Sequence, residues 1–176
     1  MRYFVLTLKH KWFVLLAGRR VGVGWWRLLT HDWTKFLPSE LPHYQRQFFG
    51  KADDPEGFIR CWLHHQNSHE HHWEYWIPRT GYTRCTPPYP DNVPIRMSRD
   101  AVREMVADWL GASRAYEGRW PTALDWPWRK KNLATLLGRV HPHSALDMLS
   151  TLRAFGYLTD QQWVQYQAMV PQTADE

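Results

Sequence analysis

Apolar side chains recur at helical spacing from residue 3 to residue 18, and Gly18, Gly22 and Gly24 then mark an exit. The same three- and four-residue spacing predicts a second helix from about Trp25 to Phe36, stopped by Pro38. Ser39 reads as the cap of a short helix through Phe49, and Gly50 ends it. Asp54-Pro55-Glu56 opens a further helix, which enters a histidine-rich run with a break expected at Asn67-Ser68. Residues 78 to 97 hold five prolines and no apolar periodicity, which predicts a long loop. Ser98 caps a clear helix through about Tyr116, and Gly118 to Pro127 is irregular. Helices follow near 128–138, 144–155 and 160–169, the last from a capping box at Thr159 to Gln162. Strand-type alternation and internal repeats are nearly absent, so the expected fold is all-α. It is read as one helical bundle domain over residues 1–176, with a core at 5–116 and C-terminal helices at 128–170.

Composition narrows the partners. Tryptophan occurs 12 times, spread along the chain as core and groove material. The formal net charge is +5, which suits a small anionic, phosphorylated substrate. The cations are scattered, with short pairs only at Arg19-Arg20 and Lys130-Lys131, so nucleic acid is the weaker alternative. Cys61 and Cys85 are too few and too far apart for a disulfide framework or a cysteine zinc site, and a reducing cytoplasm is expected. The apolar N-terminal run is broken by Lys9-His10-Lys11, and no stretch of about 20 apolar residues exists. No membrane partner is therefore expected, and oligomeric state is left open.

Ionisable residues on apolar faces carry the chemistry. His10 shares its face with Leu6, Phe13, Val14 and Ala17, and Asp32 with Leu28, Leu29, Lys35 and Phe36. Asp108 shares one with Ala101, Met105, Ala112 and Ala115. A buried carboxylate is costly unless it is paired or metal-bound. Lys35 could pair with Asp32, but it is a poor partner for all three groups. Residues 62–76, WLHHQNSHEHHWEYW, hold five of the ten histidines. His65 follows Trp62 by three and Phe58 by seven, and His72 precedes Trp76 by four, so both are expected to face inward. His64 and His71 are the alternates, His69 and Glu70 are expected at the surface, and Glu74 either orients a ligand histidine or lies outside. A mixed histidine and carboxylate set suits one or two ions of iron, manganese, zinc or cobalt.

The order His10, His31-Asp32, Asp108 resembles the signature of the HD-domain superfamily, in which a helical bundle presents these side chains to a divalent metal. His31-Asp32-Trp33-Thr34-Lys35 is similar to the variant of members with two metals, where extra histidines lie between the HD pair and the final aspartate. In those members the HD aspartate bridges the ions. The chain also resembles, over most of residues 5 to 116, a bacterial and phage family that shares the HDxxK segment and the paired histidines before WEYW. No acidic residue follows the HD pair, and Gly81-Tyr82-Thr83 only partly echoes the GYP element of the cyclic-dinucleotide phosphodiesterases.

The resemblance implies a metal-dependent phosphohydrolase acting on a nucleotide or other small phosphoester through metal-activated water. Asp32 and Lys35 are its catalytic candidates, and Lys35, Arg79, Arg84 and Arg96 its candidate phosphate binders. The metal candidates are His10, His31, Asp32, His65, His72 and Asp108, with His64 and His71 in reserve. The alternatives are an HD-type di-iron oxygenase and a non-catalytic, metal-stabilised accessory protein.

Overall fold

The computed structural model describes residues 2–78 and 89–172, and among these every regular element is helical. Helix α1 (Arg2–Arg20) turns Tyr3, Thr7, His10, Val14 and Ala17 inward, a spacing of three and four residues that makes one continuous stripe. That stripe packs along α5 (Arg99–Glu117), the other long helix. The two backbones nearly touch at Gly111, where a Cβ atom would lie 2.7 Å from the Val14 nitrogen. Only glycine permits that approach. Ser98 starts α5 by accepting from the Ala101 amide, and Gly118 ends it at a φ of 77°.

Helices α2 (Trp25–Thr30) and α3 (Leu41–Phe49) pack on α1, and α4 (Pro55–Ser68) packs on α3. Helix α6 (Pro127–Leu137) precedes α7 (Pro142–Ala154), which packs on α5, and α8 (Asp160–Gln167) packs on α7. The main core joins Val14, Met105, Leu110, Trp126, Leu137 and Leu149, so the C-terminal helices share it with α1 and α5. A smaller cluster of Tyr3, Tyr44 and Cys61 ties α1 to α3 and α4, with the two tyrosine rings stacked at 5.0 Å. The expected caps at Asp54 and Thr159 are present, and the latter forms the full capping box with Gln162.

Two local expectations are corrected. The helix expected over Trp25–Phe36 stops at Thr30; His31 leaves the helix in a turn, Asp32 has a φ of 54°, and a short 3-10 turn covers Trp33–Phe36. Leu28 alone tucks under Gly18, while Leu29 stays 60% exposed, so the apolar spacing beyond Thr30 does not describe one buried face. Ser39 is not the cap of α3: that helix begins at Leu41, with Pro42 in its first turn and Glu40 at the cap position. The break expected at Asn67-Ser68 is present: α4 ends at Ser68, and His69 at the cap position is extended.

Candidate metal centre

The chain brings His10 (α1), His31 and Asp32 (after α2) and Asp108 (α5) into one buried group able to hold a metal ion. His10 Nε2 lies 3.0 Å from Asp108 Oδ1 and 3.4 Å from Asp32 Oδ2, and His31 Nε2 lies 3.5 Å from the same Asp32 oxygen. A second group adjoins it, made of Asp32, His65, His71 and His72. Here the other oxygen of Asp32 does the facing: Oδ1 is 3.2 Å from His65 Nε2 and 3.4 Å from His71 Nε2. Asp32 thus stands between two ligand sets and turns one oxygen to each.

Behind the histidines stand carboxylates absent from the sequence expectation. Glu104 Oε1 lies 3.0 Å from His31 Nδ1 and 3.2 Å from His71 Nδ1, while Glu40 Oε2 lies 3.1 Å from His65 Nδ1. A carboxylate there accepts a hydrogen bond from Nδ1–H, keeps the proton on that nitrogen and so leaves the Nε2 lone pair free to ligate. Arg27 holds Glu104 in turn, with Nε donating at 2.7 Å. Glu104 had a legible signal, since it lies one turn before Asp108 on α5. Glu40 had none, because it stands in a turn outside any helical period.

The fit to metal is tested by the buried atoms themselves. The Nε2 atoms of His10, His31, His65, His71 and His72, and Oδ1 of Asp32, all lack a hydrogen-bond partner. Their short contacts are therefore close approaches without hydrogen-bond direction. Buried polar atoms are nearly always satisfied, and lone pairs converging on one point are satisfied by a cation. Direct proton sharing would crowd imidazolium rings whose centroids are 4.3 Å apart at His31–His71 and 4.5 Å at His71–His72. The residues fit a divalent ion in each group, with histidine and carboxylate donors of the transition-metal type.

Electrostatics of the metal-free cluster show the strain of this arrangement. Burial opposes ionisation of Asp32 and Asp108, yet the surrounding histidines, with Lys35 beside Asp32, outweigh it and hold both carboxyls well below their ordinary range. Burial likewise opposes protonation of His10, His31 and His71, but the facing carboxylates raise all three. His72 goes the other way, pushed down by burial and by His71 and His65. Lys35 Nζ donates to Asp32 Oδ2 at 2.6 Å, so the pairing of these two side chains exists beside the cluster.

Several sequence expectations are changed. His64 is 49% exposed and bonds Glu40 Oε1 at 2.7 Å, so it does not enter either group. His71 joins His65 and His72 inside rather than standing in reserve. His69 is buried, not at the surface: its Nε2 is 2.7 Å from Thr34 Oγ1, and burial with His65 nearby holds it down at about 3. For His69 and His71 the cause is shared. Helix α4 ends at Ser68, and helical angles do not carry across the turn that follows. Glu70 is partly exposed and pairs with Arg27, while no ring nitrogen of a ligand histidine meets Glu74 among the hydrogen bonds and ion pairs of the described residues. Arg96 pairs with Asp147 at 3.1 Å, remote from the cluster in its contacts, and Arg79 and Arg84 lie outside the described residues.

A cavity of about 690 Å³ opens onto His10, Lys35, His71, His72 and Asp108. Much of its remaining wall is aromatic, including Trp62, Trp73, Trp109 and Trp128, with Arg139 at the rim of Trp73. Among the described residues no helix is long and apolar enough to cross a membrane. No curated protein and no solved structure matches the chain. The family described as "Family of unknown function (DUF5662)" matches residues 1–153, from α1 almost to the end of α7, and the chain belongs to that family.

Proposed function

We propose that the protein is a metal-dependent phosphohydrolase acting on a nucleotide or other small phosphoester, with Asp32 shared by two divalent ions. The observation that carries this reading is Asp32 itself, whose two oxygens face separate histidine groups beside one cavity. The resemblance of His10, His31-Asp32 and Asp108 to the HD signature supports it. Divalent ions held there would supply a hydroxide nucleophile at neutral pH and polarise a phosphoryl oxygen.

The chain's own residues do the rest. His10, His31 and Asp108 form one set, and His65, His71 and His72 the other. Glu104 and Glu40 keep the imidazoles in the ligating tautomer. Burial disfavours the charged form of Lys35, but Asp32 more than compensates and keeps it cationic, so its ammonium can donate to a phosphoryl oxygen. The tryptophan wall holds the organic part of the substrate and limits water.

One observation favours a second reading, a di-iron oxygenase. Among the described residues the cavity wall carries only Lys35 and Arg139 as permanent cations, few for a highly charged phosphate ester, and its ligands are histidine-rich. The deciding experiment loads the protein separately with manganese, iron, zinc and cobalt. Phosphate release from nucleotides and p-nitrophenyl phosphate is then followed under strict anaerobiosis. Release that disappears in Asp32→Ala supports the hydrolase. Oxygen uptake without phosphate release assigns the oxygenase, and neither signal from the metal-loaded protein removes both.

A further inference from the structure

Helix α1 is apolar on both sides. Opposite the stripe that holds His10 and Val14, the side chains of Val5, Leu8, Trp12 and Leu16 are 41–62% exposed. At about 100° per residue they fall within an arc of about 80° and run about 16 Å along the helix. A helix apolar all round is ordinarily covered on all sides. Helix α2 and its following turn extend the surface with Trp25, Trp26, Leu29 and Trp33, each more than half exposed. The two stretches adjoin, since Arg19 stacks over the Trp25 ring at 4.3 Å and Lys11 Nζ donates to the Leu29 carbonyl at 3.2 Å.

The exposed charge on α1 is one-signed. Residues 1–40 contain two carboxylates, Asp32 and Glu40, and both are fully buried. Arg2, Lys9, Arg19 and Arg20 are exposed on α1 and Lys11 is partly so, with no acidic residue on that helix. We propose that the α1–α2 face lies on an anionic lipid surface, as a peripheral contact that inserts tryptophan and leucine between headgroups while the cations meet lipid phosphates.

Three features select this occupant. Exposed tryptophans beside leucines and flanking cations are the composition of interfacial helices. A second copy of the chain, joined face to face, would set the α1 cations against one another with no carboxylate on that helix to relieve them. Single-stranded nucleic acid would use the tryptophans, but Val5, Leu8, Leu16 and Leu29 offer no π face to a base. The contact is independent of the activity proposed above, because it uses the side of α1 turned away from His10.

The test is co-sedimentation of the full chain with large vesicles of phosphatidylcholine alone and of an equal mixture with phosphatidylglycerol. Binding is expected to the mixed vesicles, with a blue shift of tryptophan emission and weakening by salt. Lys9→Gln with Arg19→Gln should weaken partitioning by roughly 25-fold, about fivefold per charge. Trp12→Ser with Trp26→Ser should abolish it, and both variants should keep the far-ultraviolet spectrum and metal content of the parent. If the tryptophan variant fails to fold, the charge variant alone decides. Absence of binding to anionic vesicles, or equal binding by parent and charge variant, overturns the proposal. So does a dimer, or an oligonucleotide complex, that depends on these tryptophans in a protein that leaves vesicles untouched.

Discussion

Glu104 offers the sharpest test of the two-group arrangement, because one of its oxygens serves both groups. Oε1 faces His31 Nδ1 at 3.0 Å and His71 Nδ1 at 3.2 Å, while Oε2 accepts from Arg27 Nε at 2.7 Å. Glutamine at this position cannot reproduce that pattern. If its carbonyl oxygen faces the imidazoles, its NH₂ meets the donating guanidinium; if it flips, the NH₂ meets two protonated Nδ1 atoms. Either way an imidazole or Arg27 loses its acceptor. Loss of such an outer partner weakens metal binding by about 10- to 100-fold, or about 1.4–2.7 kcal/mol. Glu104→Gln should therefore weaken both bound equivalents, since His31 belongs to one set and His71 to the other. Glu40→Gln should weaken one, because Glu40 touches His65 and the outward-facing His64. Competition with a graded series of chelators, read by metal analysis, resolves the two equivalents. If Glu104→Gln leaves both as tight as in the parent, or affects one only, the shared-carboxylate argument is wrong.

Other outcomes follow from the same geometry. Asp32→Ala leaves Lys35 largely buried without its carboxylate, and should lower the denaturation free energy of metal-free protein by about 3–5 kcal/mol; a denaturant midpoint equal to the parent's would contradict this. Gly111→Ala drives a methyl group into the Val14 backbone and should cost about 1–3 kcal/mol, with weaker metal binding because α1 carries His10. An unchanged melting temperature would show that α1 and α5 separate freely. Stability against pH should differ between metal-free and metal-loaded protein. The raised His10, His31 and His71 contribute stability present below their unfolded value and lost as pH rises through their higher folded values. The lowered Asp32, Asp108 and Glu40 contribute stability present above the unfolded carboxylate value and lost as pH falls. His69 and His72, held below their unfolded value, act the other way and cost stability as pH falls below about 6.5. Metal-free protein should thus be most stable near about pH 6.5 and weaken toward pH 8, whereas metal affinity rises over that interval. Thermal melts in chelator that stay flat or climb from about pH 7 to 8 would refute the assignment.

The helical class, the caps at Asp54, Ser98 and Thr159, and the face of α1 bearing His10 were legible because each depends on neighbours within a turn. The centre was legible by helical period where its residues stand on long helices, whereas His31 and Asp32 were legible through the HD resemblance and His72 through its spacing from Trp76. His10 and Asp108 follow from periodicity on α1 and α5. Glu40, Thr34 and His69 do not, since each reaches the site from a turn or cap, where side-chain direction is set by tertiary packing rather than by period. His64 and His71, both expected as alternates, part ways in the structure. Within α4 the helical angle sends His64 outward and His65 inward, and once the helix stops at Ser68 the chain returns His71 and His72 to the cluster by a route no helical wheel describes.

Asp32 shows what one such departure brings to the cluster. Had the helix continued to Phe36, His31 and Asp32 would point about 100° apart from one cylinder, with Leu29 and Trp33 on neighbouring faces. Instead α2 ends one residue before His31, and Asp32 takes a left-handed φ of 54°. Aspartate tolerates that conformation better than most residues, though it remains uncommon outside glycine. The reversal turns the Asp32 carboxylate inward, where Oδ2 meets His10, His31 and Lys35 and Oδ1 meets His65 and His71. Backbone strain of about 1–3 kcal/mol persists where the surroundings fix it, and here five side chains from α1, the HD turn and the α4 region do so. Asparagine at this position would keep the backbone conformation but lose the charge, so Asp32→Asn separates the two roles. It should fold more nearly like the parent than Asp32→Ala does, yet lose the shared anionic ligand and with it the tight binding of both ions. Tight binding of two equivalents by Asp32→Asn would show that the turn, rather than the bridging carboxylate, is what the site requires.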